Sequence, residues 1–389
     1  MTGVIEANSG TTPVREGFGF DEHALTDWME RHVAGFAGPL AVEQFRGGQS
    51  NPTYQLVTPS RRYVLRRKPT GQLLKGAHAL EREARVLSAL HGAGFPVPQM
   101  LGTSGEEPVI GTWFYVMEMV EGRIFWDATV PGVSREERRA LYDAMNATIA
   151  QLHRLDPQAI GLGDYGKPGN YFARQVGRWS MQYRDDQLAG RNPDMDAVIA
   201  WLEANMPEED GASSVIHGDF RIDNLIFHPT EPRVLAVLDW ELSTLGHPLA
   251  DFACHAMKYH MPSHIVAGLA DTDLAALGIP GEQDYVARYC QRNGRQAIPD
   301  YAYYMAFNFF RLAAIFHGIK GRVIRGTAAN EKAKERAKAF PGKAGARHDE
   351  QLIGFSPAFA SPGRRRNAGK VGLSASTKDG LACSDKKQL

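Results

Sequence analysis

The chain is poor in cysteine: Cys254, Cys290 and Cys383 are all it has in 389 residues. An odd, widely spaced set offers no disulfide framework and suits a reducing cytoplasm. Net charge is missing too, because 44 Lys and Arg balance 44 Asp and Glu, so no overall field draws the protein to nucleic acid or to an anionic membrane. The longest aliphatic run, residues 234–238, falls far short of the roughly 18 residues that a membrane span needs. The opening MTGVIEANSG has no basic region followed by an apolar one, and no secretory signal is expected there. No G-x-x-x-x-G-K-[ST] and no G-x-S-x-G occurs, which removes the common P-loop fold and the serine-hydrolase elbow. With 43% hydrophobic and 23% charged residues, the composition is that of a globular protein whose partner is met at a local site.

Two further patterns fail on context. Gly161-Leu-Gly163-Asp-Tyr-Gly166 has the letters of a dinucleotide-binding turn, but it follows Asp156-Pro157 instead of a strand and leads into Lys167-Pro168-Gly169 instead of a helix, so a loop is expected. Cys254, His255 and His260 stand at helical offsets that share no face, which favours core packing over a metal cluster.

The zero net charge hides an asymmetry. From Glu331 onward thirteen basic residues face six acids, and beyond about Phe340 apolar periodicity is almost absent, so residues 326–389 are expected to be a largely disordered basic tail. Without interleaved aromatics, a nucleic-acid role for Arg364, Arg365 and Arg366 is not favoured. Residues 40–120 carry β-type runs at 40–45, 53–57, 63–66 and 113–119, interrupted by one amphipathic helix over 79–90. Residues 121–325 are mainly helical. Ser134 with Glu137 forms a capping box that opens a helix through His153, and a strand pair at 225–227 and 234–238 turns through His228 to Arg233. Residues 1–39 read as a leader with one helix near 22–33. The fold class is α+β, a small antiparallel-sheet lobe followed by a larger helical one; no feature specifies an oligomer.

The stretch His217-Gly-Asp219-Phe-Arg-Ile-Asp-Asn224, followed by Leu238-Asp239-Trp240-Glu241, carries the chemistry. A loop presents Asp219 and, five residues on, Asn224; a hairpin then returns Asp239 to the same mouth. Phosphoryl transfer from ATP needs such a set, since the work is positioning an acceptor hydroxyl and neutralising phosphoryl charge with a hard cation. Here the sequence resembles the aminoglycoside phosphotransferase and choline kinase group of protein-kinase-like enzymes, and within it the kinase-like domains that animals fuse to acyl-CoA dehydrogenases. The resemblance covers roughly residues 40–325. It implies a bilobal fold, ATP and magnesium as cofactors, and a small-molecule hydroxyl as acceptor. It further implies Asp219 as catalytic base, Asn224 and Asp239 as magnesium ligands, and His217 and Asp251 as structural support. In Gly246-His247-Pro248-Leu-Ala-Asp251 a His stands where the group usually has Asp.

In the small lobe the helical spacing turns Glu83 inward, and strand alternation places Arg66 with Val64 on one face. Arg66 is therefore assigned to the phosphates and to Glu83, in a place where kinases usually have Lys. Gly47, Gly48, Gln49 and Ser50, between two β-type runs, form a candidate phosphate-covering loop. Glu118 and Met119 fall at the expected hinge, where adenine would be met by backbone groups. For the acceptor, Arg174 and Arg178 lie one helical turn apart beside Trp179 and Tyr183, and a later helix adds Arg311 and His317. That chemistry suits a carboxylate, phosphate or coenzyme A group better than a cation.

Overall fold

The computed structural model describes residues 10–46, 51–69, 79–105, 109–263 and 268–326. Gly47, Gly48, Gln49 and Ser50 lie outside the described residues, as does the basic tail from residue 327.

The small lobe is one antiparallel sheet of β1 (Thr11–Thr12), β2 (Ala41–Phe45), β3 (Thr53–Val57), β4 (Arg62–Arg67), β5 (Met100–Thr103) and β6 (Phe114–Glu118), in the order β1-β2-β3-β4-β6-β5. Alternation along β4 sends Tyr63, Leu65 and Arg67 to one face and Val64 and Arg66 to the other. The first face builds a core with Tyr54, Leu56, Phe114 and Val116. Helix α1 (Glu22–His32) covers it with Leu25, Trp28 and Met29. The segment expected as a leader is thus a working part of this lobe: it supplies the edge strand β1, paired with β2, and Leu25, Trp28, Met29 and Val33 of the core. Trp28 explains a glycine on the opposite strand, since a Cβ at Gly102 would come within 2.9 Å of the indole. Arg67 is buried on the same side, donating to the Tyr54 hydroxyl at 3.2 Å and to the Phe18 carbonyl at 3.0 Å.

Helix α2 (Leu80–Gly92) packs on β5 and β6 with Leu80, Ala84, Leu87 and Leu90 buried. From Glu118 the chain crosses to the large lobe through residues 119–122. Arg123 then exchanges backbone hydrogen bonds with Phe227, both at 2.8 Å. Gly122 permits that approach, because a Cβ there would stand 2.2 Å from the Phe227 carbonyl oxygen.

The large lobe comprises α3 (Arg135–Arg154), α4 (Tyr171–Asp185), α5 (Pro193–Ala204), α6 (Pro248–Ala256), α7 (Leu274–Leu277), α8 (Glu282–Arg292) and α9 (Tyr301–Ile324). Two antiparallel strand pairs accompany them: β7 (Ser214–Ile216) with β10 (Thr244–Gly246), and, nested between them in sequence, the hairpin of β8 (Leu225–Phe227) with β9 (Val234–Val237). Ser134 caps α3 by accepting from the Glu137 N–H at 3.1 Å. The reciprocal half of the expected capping box is diverted, and the Glu137 carboxylate pairs with Arg123 at 2.6 Å.

The 161–166 segment is a loop that ties the lobes. Arg82 donates to the Tyr165 carbonyl at 2.6 Å and lies 4.2 Å from the centroid of its ring. Arg85 donates to the Gly161 carbonyl at 2.8 Å and pairs with Asp164. No helix among the described residues is long and apolar enough to cross a membrane.

Replacing Trp28 with Ala should cost about 3–5 kcal/mol of unfolding free energy, the usual range for a fully buried Trp, read by chemical denaturation. A loss below about 1 kcal/mol, the size of a surface change, would mean that α1 is dispensable to the lobe.

Candidate active site

A single buried carboxylate organises the candidate catalytic loop, residues 217–224. Asp251, in the first turn of α6, accepts from the backbone N–H of His217 at 2.9 Å and of Gly218 at 2.8 Å. His153 of α3 approaches the same carboxylate at 3.1 Å through Nε2, while its Nδ1 meets the Tyr289 hydroxyl at 2.7 Å. Burial raises the Asp251 pKa, but the His153 contact and the donated N–H groups outweigh it and hold the carboxyl below its ordinary value. His217 donates from Nε2 to the Leu238 carbonyl at 2.8 Å and accepts the Asp219 N–H on Nδ1 at 3.2 Å. One imidazole thus joins the residue before Asp239 to the backbone of Asp219.

Asn224 closes the loop by donating through Nδ2 to the Asp219 carbonyl at 2.9 Å and to its carboxylate at 3.4 Å. The amide oxygen remains for a cation. Asp239 follows β9 with φ 65° and ψ 62°, a left-handed conformation that a non-glycine residue holds only when its surroundings impose it. Its Oδ1 is buried without a hydrogen-bond donor. Arg66 enters from β4, bonded to Glu83 at 2.8 Å, with Glu241 at 3.5 Å and Asp239 at 3.7 Å. Three carboxylates surround one guanidinium, an excess of negative charge that a divalent cation would relieve. The donor set also fits magnesium chemically: a carboxylate with an orphaned oxygen, an amide oxygen and a second carboxylate are hard ligands, and magnesium commonly takes one or two carboxylates with phosphate oxygens completing its shell. Among the described residues no closed cage of three or more His, Cys, Asp or Glu exists.

Burial pushes the Glu83 carboxyl up to about 7, Arg66 pulls against it, and Asp239 and Glu241 add to the rise. Arg66 stays a cation, since its carboxylates outweigh its own desolvation.

Beside Asp219 opens a cavity of about 360 Å³ between the catalytic loop, α6 and α9. Its walls are mostly apolar, with Met145, Met257, Leu312, Ile315 and Phe316 among them, and its polar groups are Asp219, Arg221, Glu241, Cys254, His255, Lys258, Asn308 and Arg311. Arg221 pairs with Asp223 and lies 3.6 Å from Asp219 Oδ1. Arg311 donates to the Gly218 carbonyl at 2.8 Å.

The four residues expected to recognise the acceptor are placed elsewhere. Helix α4 buries Phe172, Val176, Ser180 and Tyr183, which leaves Arg174 and Arg178 off its buried face. Arg174 is spent on the carbonyls of Lys167 at 2.8 Å and Pro168 at 3.2 Å. Arg178 lies exposed, 5.3 Å from the ring centroid of Trp179. Tyr183 is a core residue hydrogen-bonded to Asn192. None of these four is among the described residues lining the cavity. His317 is likewise a core group, against the Gly190 carbonyl at 2.7 Å. Arg221, Lys258 and Tyr142 line the cavity without having been singled out; only the i, i+4, i+7 spacing of Cys254, Lys258 and Met261 hinted that one stripe faces it. Glu118 pairs with Gln99 through backbone and side chain, at 3.0 and 2.9 Å, and Met119 begins the crossing. His247 caps α6 with its ring stacked on Tyr304 and Nε2 3.2 Å from Asp210.

Residues 41–289 match the model of the phosphotransferase enzyme family, APH. The chain belongs to that family. A mouse relative, acyl-CoA dehydrogenase family member 10, is 43% identical over 331 residues, covering 84% of this chain and 31% of the relative; the chain spans about a third of that protein's length. A solved structure from Ralstonia eutropha, provisionally described as an aminoglycoside phosphotransferase, is 53% identical with a TM-score of 0.75, covering 82% of this chain and 94% of that one. Choline kinase from Cryptosporidium parvum shares the fold at 10% identity, with a TM-score of 0.55 over 82% of this chain and 96% of that one. The bilobal kinase-like architecture is therefore that of the family.

Glu83 offers a direct check on the electrostatics. Its carboxyl signal, followed by carbon NMR and identified by its loss in Glu83→Gln, should titrate near pH 7. A folded-state value raised from 4.5 to about 7 means that folding takes up a proton in that window, so stability relative to Glu83→Gln should fall as pH rises through it. A midpoint near 4.5 would show Arg66 dominating instead.

Proposed function

We propose that the chain transfers the γ-phosphoryl group of ATP to a hydroxyl of a small molecule bearing an acidic or coenzyme A-linked group. The observation that carries this reading is the cavity beside Asp219, apolar in its walls and lined by three basic side chains, Arg221, Lys258 and Arg311. An amphiphilic anion suits such walls. A polycationic aminoglycoside would face like charge at a cost of roughly 1–4 kcal/mol per close pair. The name of the mouse relative also fits a coenzyme A thioester as acceptor.

In this reading Asp219 accepts the proton of the acceptor hydroxyl, and Asn224, bonded to its carbonyl and carboxylate, keeps it in place. Arg66 meets the phosphates, and Glu83 holds that guanidinium from the far side. Asp239 and the Asn224 amide oxygen would hold magnesium, with Glu241 within reach of the same charge. When bound, the ion supplies neutralisation of the phosphoryl oxygens. His217 and Asp251 fix the loop in the conformation that keeps these groups together.

Asp219→Asn should lower kcat about 100- to 10,000-fold, the usual contribution of a positioned general base, while leaving ATP affinity nearly intact. Asp239→Asn should abolish magnesium-dependent turnover and weaken nucleotide binding. Equal loss of ATP affinity in both, measured by calorimetry, would contradict the division of roles.

A screen of ATP consumption should find turnover with hydroxy acids or their coenzyme A thioesters and little with kanamycin or choline. Efficient phosphorylation of kanamycin would overturn the acidic-acceptor reading. ATP binding without turnover on any hydroxylated compound would favour a regulatory pseudokinase.

A further inference from the structure

Three basic side chains line the acceptor cavity, and they are not equivalent. Arg221 is held by Asp223 and lies beside Asp219. Arg311 is committed to the Gly218 carbonyl. Lys258 differs. Among the described residues its Nζ has one hydrogen-bond partner, His255 Nε2 at 2.8 Å, and no carboxylate lies within ion-pair distance. The one acid whose charge reaches it, Glu282, is engaged by His260 at 2.9 Å and by Tyr301 at 2.8 Å.

The imidazole partner brings no negative charge. His255 Nδ1 lies 2.8 Å from the Phe220 carbonyl, which can only accept, so Nδ1 carries the hydrogen and Nε2 presents a lone pair. The Tyr285 hydroxyl competes for that lone pair at 2.7 Å. Around the ammonium stand three rings, with centroids at 4.5 Å for Tyr285 and 5.4 Å for Tyr142 and Tyr259. Rings soften the desolvation of a cation but do not neutralise it. Burial accordingly pushes the lysine pKa well below its usual value, so that without a counter-ion the site disfavours the protonated form. A recessed amine without a counter-ion on the wall of an apolar cavity holds its proton favourably only when a ligand supplies the missing negative charge.

The position along the chain fits a ligand that also reaches Asp219. Cys254 stands 3.8 Å from the Gly218 carbonyl and His255 contacts Phe220, both on the catalytic loop, whereas Lys258 lies a helical turn beyond Cys254, among Met257, Met261 and Tyr142.

We propose that Lys258 is the specificity-determining residue of the acceptor site, binding an anionic oxygen of the acceptor across the apolar cavity from the hydroxyl presented to Asp219. The inference rests on the phosphotransfer reading for its meaning in turnover, but its binding arm does not require it.

The test compares a medium-chain hydroxy acid with the diol of the same carbon skeleton, in Lys258→Met, Lys258→Gln and Lys258→Arg. In the uncharged variants the ratio of kcat/KM for the acid to that for the diol should fall at least about tenfold, the loss of one charge-assisted hydrogen bond. The change should appear in the KM of the acid and not in the KM of ATP, and Lys258→Arg should keep most of the preference. A parallel loss for acid and diol, or an unchanged ratio, would overturn the proposal, since a merely structural lysine cannot tell the two apart. Equilibrium binding of the hydroxy acid without ATP is measured alongside. Should the unmodified protein turn over no acceptor at all, the phosphotransfer reading fails; loss of acid binding in Lys258→Met and Lys258→Gln would still support the anion site, and equal binding in all variants would refute it.

Discussion

The geometry of the site hangs on one buried carboxylate. Asp251 receives two consecutive backbone N–H groups and an imidazole contact, so the His217–Gly218 turn has little freedom to adopt another conformation without orphaning a buried charge. That penalty, several kcal/mol for an uncompensated carboxylate in a low-dielectric interior, makes the loop behave as part of the core. Everything that must be placed within an ångström then follows. His217 transmits the constraint to Leu238, Asp239 is held in a conformation it would not choose alone, and Asn224 is pinned to Asp219.

Around this frame charge is distributed unevenly, and the unevenness separates two half-sites. Where β4, α2 and the turn after β9 meet, carboxylates outnumber cations, a field suited to a metal–phosphate complex. In the cavity under α9 the basic side chains outnumber the acids, and the walls are methionine, leucine, isoleucine and phenylalanine. A single fold thus presents opposite electrostatic characters a few residues apart, with Asp219 at the boundary where a hydroxyl and a phosphoryl group would meet. Fold membership speaks for the first character only; the second belongs to this chain's own side chains.

Much of this was legible in the amino-acid sequence where the physics is local. Alternation placed Arg66 opposite Tyr63 and Leu65, and helical spacing turned Glu83 inward; the two meet at 2.8 Å. The hairpin joining Asn224 to Asp239 was readable from apolar runs and turn residues. What was not legible depended on tertiary partners. Strand β1 is two residues long and β5 contains a glycine under an indole, so neither carries a periodic signal. The leader looked separate because its partner face lies on strands far along the chain. Arg174 and Arg178 misled because spacing shows that two guanidiniums share a helix flank, not which way the flank points once Phe172, Val176 and Tyr183 have claimed the interior. Lys258 escaped notice because an ammonium inside a tyrosine cage has no sequence signature beyond three aromatics scattered over some 140 positions.

The arginines of α2 have a mechanical consequence. In many kinase-like enzymes the helix bearing the ion-pairing glutamate swings to set activity. Here Arg82 and Arg85 tie that helix to carbonyls of the 161–166 loop on the opposite lobe, while its apolar face and the Glu83–Arg66 pair hold it to the sheet. The helix is thus a strut fastened at both ends, and drawing the lobes apart would have to break the Arg82 and Arg85 contacts first.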